Sequence, residues 1–89
     1  MYLHLGQETV VNEKDVIGIF DLDTSTVSKH TRDFLNKAEK EKRVFNVSFE
    51  LPKSFILCSN KEKEQKVYIS QISTSTLNKR SNFERNDFK

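Results

Sequence analysis

The chain opens with short apolar runs separated by polar turns. Tyr2-Leu3-His4-Leu5 has the length and β-compatible composition of a first strand, with Gly6 as its breaker and Gln7 as a polar turn residue. A second short strand is predicted at Thr9 to Asn12. The polar set Asn12-Glu13-Lys14-Asp15 then predicts a tight turn into Val16-Ile17-Gly18-Ile19-Phe20, the strongest strand signal in the chain. Taken together, these three segments predict a β-meander.

Beyond Phe20 the period of the pattern changes from two to 3.6. Val27, Thr31, Phe34, Leu35 and Ala38 share one helical face, while Lys29, Arg32, Asp33, Asn36, Lys37 and Glu39 occupy the rest. The helix is expected over about residues 25–41, with Asp23, Thr24, Ser25 and Thr26 offering oxygens to the free N–H groups at its start. Lys37, Lys40, Lys42 and Arg43 gather at its C-terminal end, where the helix dipole favours cations without any ligand. Val44, Phe45, Val47 and Phe49 alternate as a half-buried strand does, and Pro52 predicts a break. Phe55 to Cys58 and Lys66 to Ile72 follow as strands joined by a solvated hairpin tip at Asn60 to Gln65. Ser73 to Thr76 is suited to cap a short final helix carrying Leu77, Lys79 and Arg80.

These elements add up to an α+β fold: a small, mainly antiparallel twisted sheet of about five to six strands, one amphipathic helix and a short C-terminal helix. A single domain is expected over residues 1–80, with 81–89 as a tail that has little to bury beyond Phe83 and Phe88. Val16 to Phe20 and Phe55 to Cys58 carry apolar side chains on both strand faces, so both faces of the sheet require cover. One helix covers one face, and the final helix is small for the other. Self-association is therefore expected through Val16, Ile17, Ile19, Phe20, Phe55 and Leu57. Burying some 400 Å² would contribute on the order of 10 kcal/mol at about 25 cal/mol per Å², before association costs. A monomer whose own loops cover the sheet is the competing reading.

Composition narrows the function. Among the 89 residues only 35% are hydrophobic and 31% are charged, which suits a marginal globular domain. No apolar run approaches the ~20 residues of a membrane span, and no basic stretch followed by a hydrophobic segment marks secretion, so a cytoplasmic protein without a membrane is expected. Cys58, the single cysteine, sits among Phe55, Ile56 and Leu57 and reads as a small buried hydrophobe. The net charge of +2 is uneven: residues 1–24 hold five acids and one lysine, and the remainder carries the positive excess. Part of the surface is thereby suited to a polyanion.

Two glycines, Gly6 and Gly18, do not write a P-loop or a dinucleotide fingerprint. His4 and His30 lie in different elements at no metal-ligand spacing. Asp15, Asp21 and Asp23 flank a strand and serve either as turn and cap residues or as a carboxylate site, the former being sufficient. Ser70, Ser73, Thr74, Ser75 and Thr76 read as a cap or as phosphate contacts. No catalytic constellation, cofactor or small-molecule substrate is expected, so the chain is read as a binding protein and not an enzyme.

Four separated segments, Tyr2-Leu3-His4-Leu5-Gly6, Asp15 to Asp21, Pro52-Lys53-Ser54 and Ser75 to Arg80, together resemble the RemB family of extracellular matrix regulators. These proteins are related to the RemA-type regulators, and the resemblance spans residue 1 to about residue 83. It implies a role in activating biofilm matrix genes, a LytTR-like fold, a ring of several copies and binding of double-stranded DNA along a basic rim. Lys14 and Asp15 stand where RemA-type proteins place an Asn-Arg pair, and Glu50 and Leu51 stand where they carry paired arginines, with Lys53 at a following basic position. The DNA contacts so implied are Lys14, Lys53, Lys79 and Arg80. A protein-interaction module that regulates through another regulator is the alternative.

Overall fold

The computed structural model describes residues 1–25 and 28–80. The α+β class is as expected, with strands β1 (Tyr2–Gly6), β2 (Thr9–Asn12), β3 (Val16–Asp21), β4 (Val44–Asn46), β5 (Ser54–Ser59) and β6 (Gln65–Ser70), and helices α1 (Leu22–Ser25), α2 (Lys29–Lys40) and α3 (Thr74–Arg80). The β-meander is not formed. β1 and β2 make a hairpin of their own, and β3 joins a separate four-stranded sheet in the order β3-β5-β6-β4. A short 3-10 turn at Glu13–Asp15, capped by Asn12 Oδ1 accepting from the Lys14 N–H at 3.0 Å, breaks the chain between the two sheets. The turn was legible in its polar residues, whereas its angle decided that β3 leaves the hairpin.

The period-two rule sorts β5 cleanly. Ile56 and Cys58 point to one face and join Leu3, Leu5, Val11, Val16 and Leu77; Phe55 points to the other with Val67 and Ala38. α2 covers that second face with Phe34, Leu35 and Ala38, three of the residues predicted for its apolar stripe. The first face is covered by the β1-β2 hairpin together with α3, which packs on β1 and β3. Both faces are therefore sheltered by the chain itself. The inference that two-faced strands require a second copy is corrected on this point: it placed the hairpin inside the sheet, where it would have covered nothing.

Hydrogen bonds seal the cover. Ser70, fully buried on β6, donates to the Leu5 carbonyl of β1 at 2.7 Å and accepts from the Ile72 N–H at 3.0 Å. Its register partner Ser54 donates to the Ile72 carbonyl at 2.8 Å. Gly6, at φ +125°, ends β1 where the Gln71 amide lies 2.9 Å from the place of an added Cβ. A side chain at residue 6 would meet both strain and collision.

Other boundaries depart from the expectations. Asp21, ahead of the run expected to supply the cap, caps the first helical turn, its Oδ1 accepting from the N–H groups of Asp23 at 2.7 Å and Thr24 at 3.3 Å, while Thr26 of that run lies outside the described residues. The single helix over 25–41 is replaced by α1 and α2; Val27 lies outside the described residues, as does the tail at 81–89. The strand predicted through Phe49 is only Val44–Asn46, and it runs parallel to β6. Ser73 caps α3 as expected, its Oγ accepting from the Thr76 N–H at 3.3 Å.

Truncating Ile56 to alanine removes a fully buried side chain from the hairpin-facing core and is expected to cost about 2–5 kcal/mol. Ser70→Ala strands the Leu5 carbonyl and the Ile72 N–H and should cost about 1–3 kcal/mol. Urea unfolding of both variants checks the two figures, and a Ser70→Ala midpoint equal to wild type would refute the sealing role.

Candidate nucleic-acid interface

Lys14 is exposed on the 3-10 turn, beside Asp15. Lys53 is exposed just before β5, its backbone fixed at both ends: the N–H donates to Ser70 O at 2.8 Å and the carbonyl accepts from Leu22 N at 3.0 Å. Because Val16 pairs with Cys58 and Asp21 with Ser54, these two lysines lie at opposite ends of the β3-β5 ladder. At about 3.4 Å per residue, the four residue steps along β5 separate the ends by roughly 14 Å. Lys79 and Arg80 are exposed at the end of α3, where the Arg80 Nη1 donates to the His4 carbonyl at 3.1 Å. The four bases thus do not meet in one cluster. They are distributed along the molecule, with Asp15, Asp21 and Asp23 in the same neighbourhood as β3.

The six apolar residues expected at a copy-to-copy contact separate into groups. Val16 and Phe55 are buried in the protomer's two cores, and Ile19 and Leu57 are half-buried against them. Ile17 and Phe20 remain exposed, at 51% and 38%. Ile17 sits in a bulge between Val16 and Gly18 of the edge strand, which turns its side chain outward. Phe20 stacks on Phe55 with ring centroids 4.9 Å apart and folds back over Gly18, where an added Cβ would stand 2.6 Å from the ring. Glycine at 18 is what lets that ring lie flat on the edge strand.

A second basic surface, not anticipated as a unit, lies at the opposite edge. Lys42, Arg43, Phe45, Lys63, Glu64 and Lys66 line an open groove of about 430 Å³. Its signals were present separately in the sequence, as the bases after α2 and the charged hairpin tip. Their proximity follows from the parallel pairing of β4 with β6, Val44 beside Val67, and from the Val67 N–H donating to Arg43 O at 2.8 Å. Among the described residues, no three His, Cys, Asp or Glu side chains gather as metal ligands.

A family model described as "RemA-like: Extracellular matrix regulatory protein A-like" matches residues 2–80. The chain belongs to the RemA-like family. The chain is similar to "Extracellular matrix regulatory protein B" of Bacillus subtilis (strain 168), at 40% identity over 83 residues that cover 93% of each chain. The RemA-like span takes in every described element, from β1 to α3. No helix among the described residues is long and apolar enough to cross a membrane.

In this RemA-like chain Cys58 is enclosed under the hairpin, as its neighbours indicated. Burial pushes its thiol up to about 11, the negative charge of Asp15 adds to the rise, and Lys66 opposes it. Burial, with Cys58 and Asp15 after it, also raises Tyr68. A thiol shifted from 9.0 to about 11 holds about 100-fold less thiolate at pH 8, so Cys58 should alkylate at least that much more slowly in the folded protein than in urea. The shift also sets a stability window. The folded state retains the thiol proton longer than the unfolded state, so stability falls as pH rises from about 9 toward 11. Cys58→Ala should flatten this alkaline slope in urea titrations, and an unchanged slope would exclude the thiol as its source.

Proposed function

We propose that this protein is a cytoplasmic regulator of extracellular matrix genes that works as a multimer on double-stranded DNA, with Lys14, Lys53, Lys79 and Arg80 as phosphate contacts. The observation that carries the reading is the 40% identity to a protein named as an extracellular matrix regulatory protein, over nearly all of both chains. The four bases are exposed, which suits contact with phosphates, and their spread suits a long polyanion better than a compact ligand. A single protomer binds weakly on this account, and repetition around an assembly supplies the affinity. Of the six apolar residues expected at a contact between copies, Ile17 and Phe20 on the β3 edge are the two that stay exposed and available to it.

The same edge supports a second reading, in which the protein regulates by docking on another protein. Its supporting observation is the pair of exposed apolar side chains Ile17 and Phe20 on a strand bounded by Asp15 and Asp21.

Size-exclusion chromatography with light scattering should give a mass of several chains for the wild type and of one chain for Ile17→Glu combined with Phe20→Glu. A solitary wild-type chain at high concentration would end the multimer reading. Duplex binding by fluorescence anisotropy should weaken about 100-fold per protomer between 50 and 200 mM salt if all four bases meet phosphates. Lys53→Glu with Arg80→Glu should lose DNA while keeping assembly. Retained regulation of matrix genes by that double variant would remove the DNA reading in favour of protein docking.

A further inference from the structure

We propose that the groove between the α2–β4 turn and the β5-β6 hairpin is a binding site for single-stranded nucleic acid, with phosphates held by Lys42, Lys63 and Lys66 and an unstacked base laid against Phe45. This site is separate from the duplex contacts proposed above and does not depend on them.

The first support is electrostatic. Among the described residues, the ammonium groups of Lys42, Lys63 and Lys66 have no carboxylate partner, unlike Lys29, which pairs with Asp33, and Arg43, which pairs with Glu41. Glu64 is the acid in the lining, and its carboxylate accepts from Asn60 Nδ2 at 2.9 Å. Unpaired cations converging from two segments some 20 residues apart form a local excess of positive charge that an anion neutralises.

The second support is where two of those lysines sit. Lys42 and Lys63 have φ of +62° and +64°, the left-handed region that favours glycine. Lys42 closes α2 in a Schellman motif: its N–H donates to Glu39 O at 3.0 Å and that of Arg43 to Ala38 O at 2.9 Å, the arrangement in which glycine is usual. Lys63 occupies the corresponding strained place in the hairpin tip, its N–H donating to Asn60 O at 2.9 Å. Lysine at both positions disfavours the backbone, yet it puts both charges on one groove. Strain of this kind is tolerated where a side chain is needed.

The third support selects the ligand. Phe45, on the edge strand β4, is 42% exposed although its ring centroid lies 5.6 Å from that of Tyr68 and 5.8 Å from the Lys66 ammonium. Phosphates alone need no aromatic wall, and in a duplex the bases are already stacked on one another. A basic track beside an exposed aromatic ring suits a strand whose bases are free, and a groove of about 430 Å³ is of a size for one nucleotide unit.

The test measures anisotropy of a labelled thymidine oligonucleotide, its duplex of equal length and, by competition, thymidine monophosphate and a poly-glutamate peptide, using the whole 89-residue chain in low salt. Lys42→Gly with Lys63→Gly removes two charges and relieves both strained residues, so the urea midpoint should stay level or rise while single-strand affinity falls at least tenfold. Phe45→Leu keeps an apolar contact on Tyr68 without a flat ring; it should lower single-strand affinity about tenfold and leave duplex affinity unchanged. Lys53→Glu with Arg80→Glu should leave single-strand binding intact, which separates this site from the duplex contacts. Wild-type single-strand affinity in either groove variant overturns the proposal, as does displacement of the strand by poly-glutamate at equal concentration of charge, whereas displacement by the mononucleotide, which carries both phosphate and base, supports it.

Discussion

The docking of the N-terminal hairpin on the central sheet is the contact on which the rest of the architecture depends. Leu3 and Leu5 enter the same cluster as Ile56, Val16 and Leu77, and the Ser70 hydroxyl ties β1 to β6 in the middle of that apolar region. The leucines supply the non-directional driving force, and the serine supplies direction, since a buried hydroxyl and carbonyl must find each other once water has gone. Without this cover, the face bearing Ile56 and Cys58 would be open to solvent. α3 would also lose β1, one of the two strands against which it packs.

That cover removes an open apolar face as a reason for a second copy. A bare sheet face would make a second copy a condition of folding. With the face covered, the exposed apolar side chains of the four-stranded sheet lie on its edges, Ile17 and Phe20 on β3 and Phe45 on β4. The two edges are chemically unlike, the first beside Asp15 and Asp21 and the second beside Lys42, Lys63 and Lys66. The parallel pairing of β4 with β6 creates the second of these surfaces, because it carries the end of α2 to the base of the β5-β6 hairpin.

The elements were largely legible. Alternation and apolar runs locate the six strands of the described residues, the α2 stripe of Phe34, Leu35 and Ala38, and the Ser73 cap. Errors collected where a short polar segment sets a direction. The turn at Glu13–Asp15 separates β3 from the hairpin, and Asp21 starts a helical turn earlier than the serine and threonine run suggested. The exposed bases Lys14, Lys53, Lys79 and Arg80 were individually visible, but their spacing across the molecule was not, because it follows from the antiparallel register of β3 on β5. The Lys42, Lys63 and Lys66 groove escaped for the same reason: each lysine had a sufficient local explanation.

By itself, then, the sequence determined which segments become strand or helix, that Cys58 is a core residue, and which family the chain belongs to, since these depend on side-chain period, local composition and short motifs. Only the tertiary structure decided how the sheets divide, what covers each face, and which charges share a surface. Those outcomes depend on pairings between residues far apart in the chain, such as Leu5 with Ser70 and Arg43 with Val67, and no local pattern encodes the partner of a buried polar group.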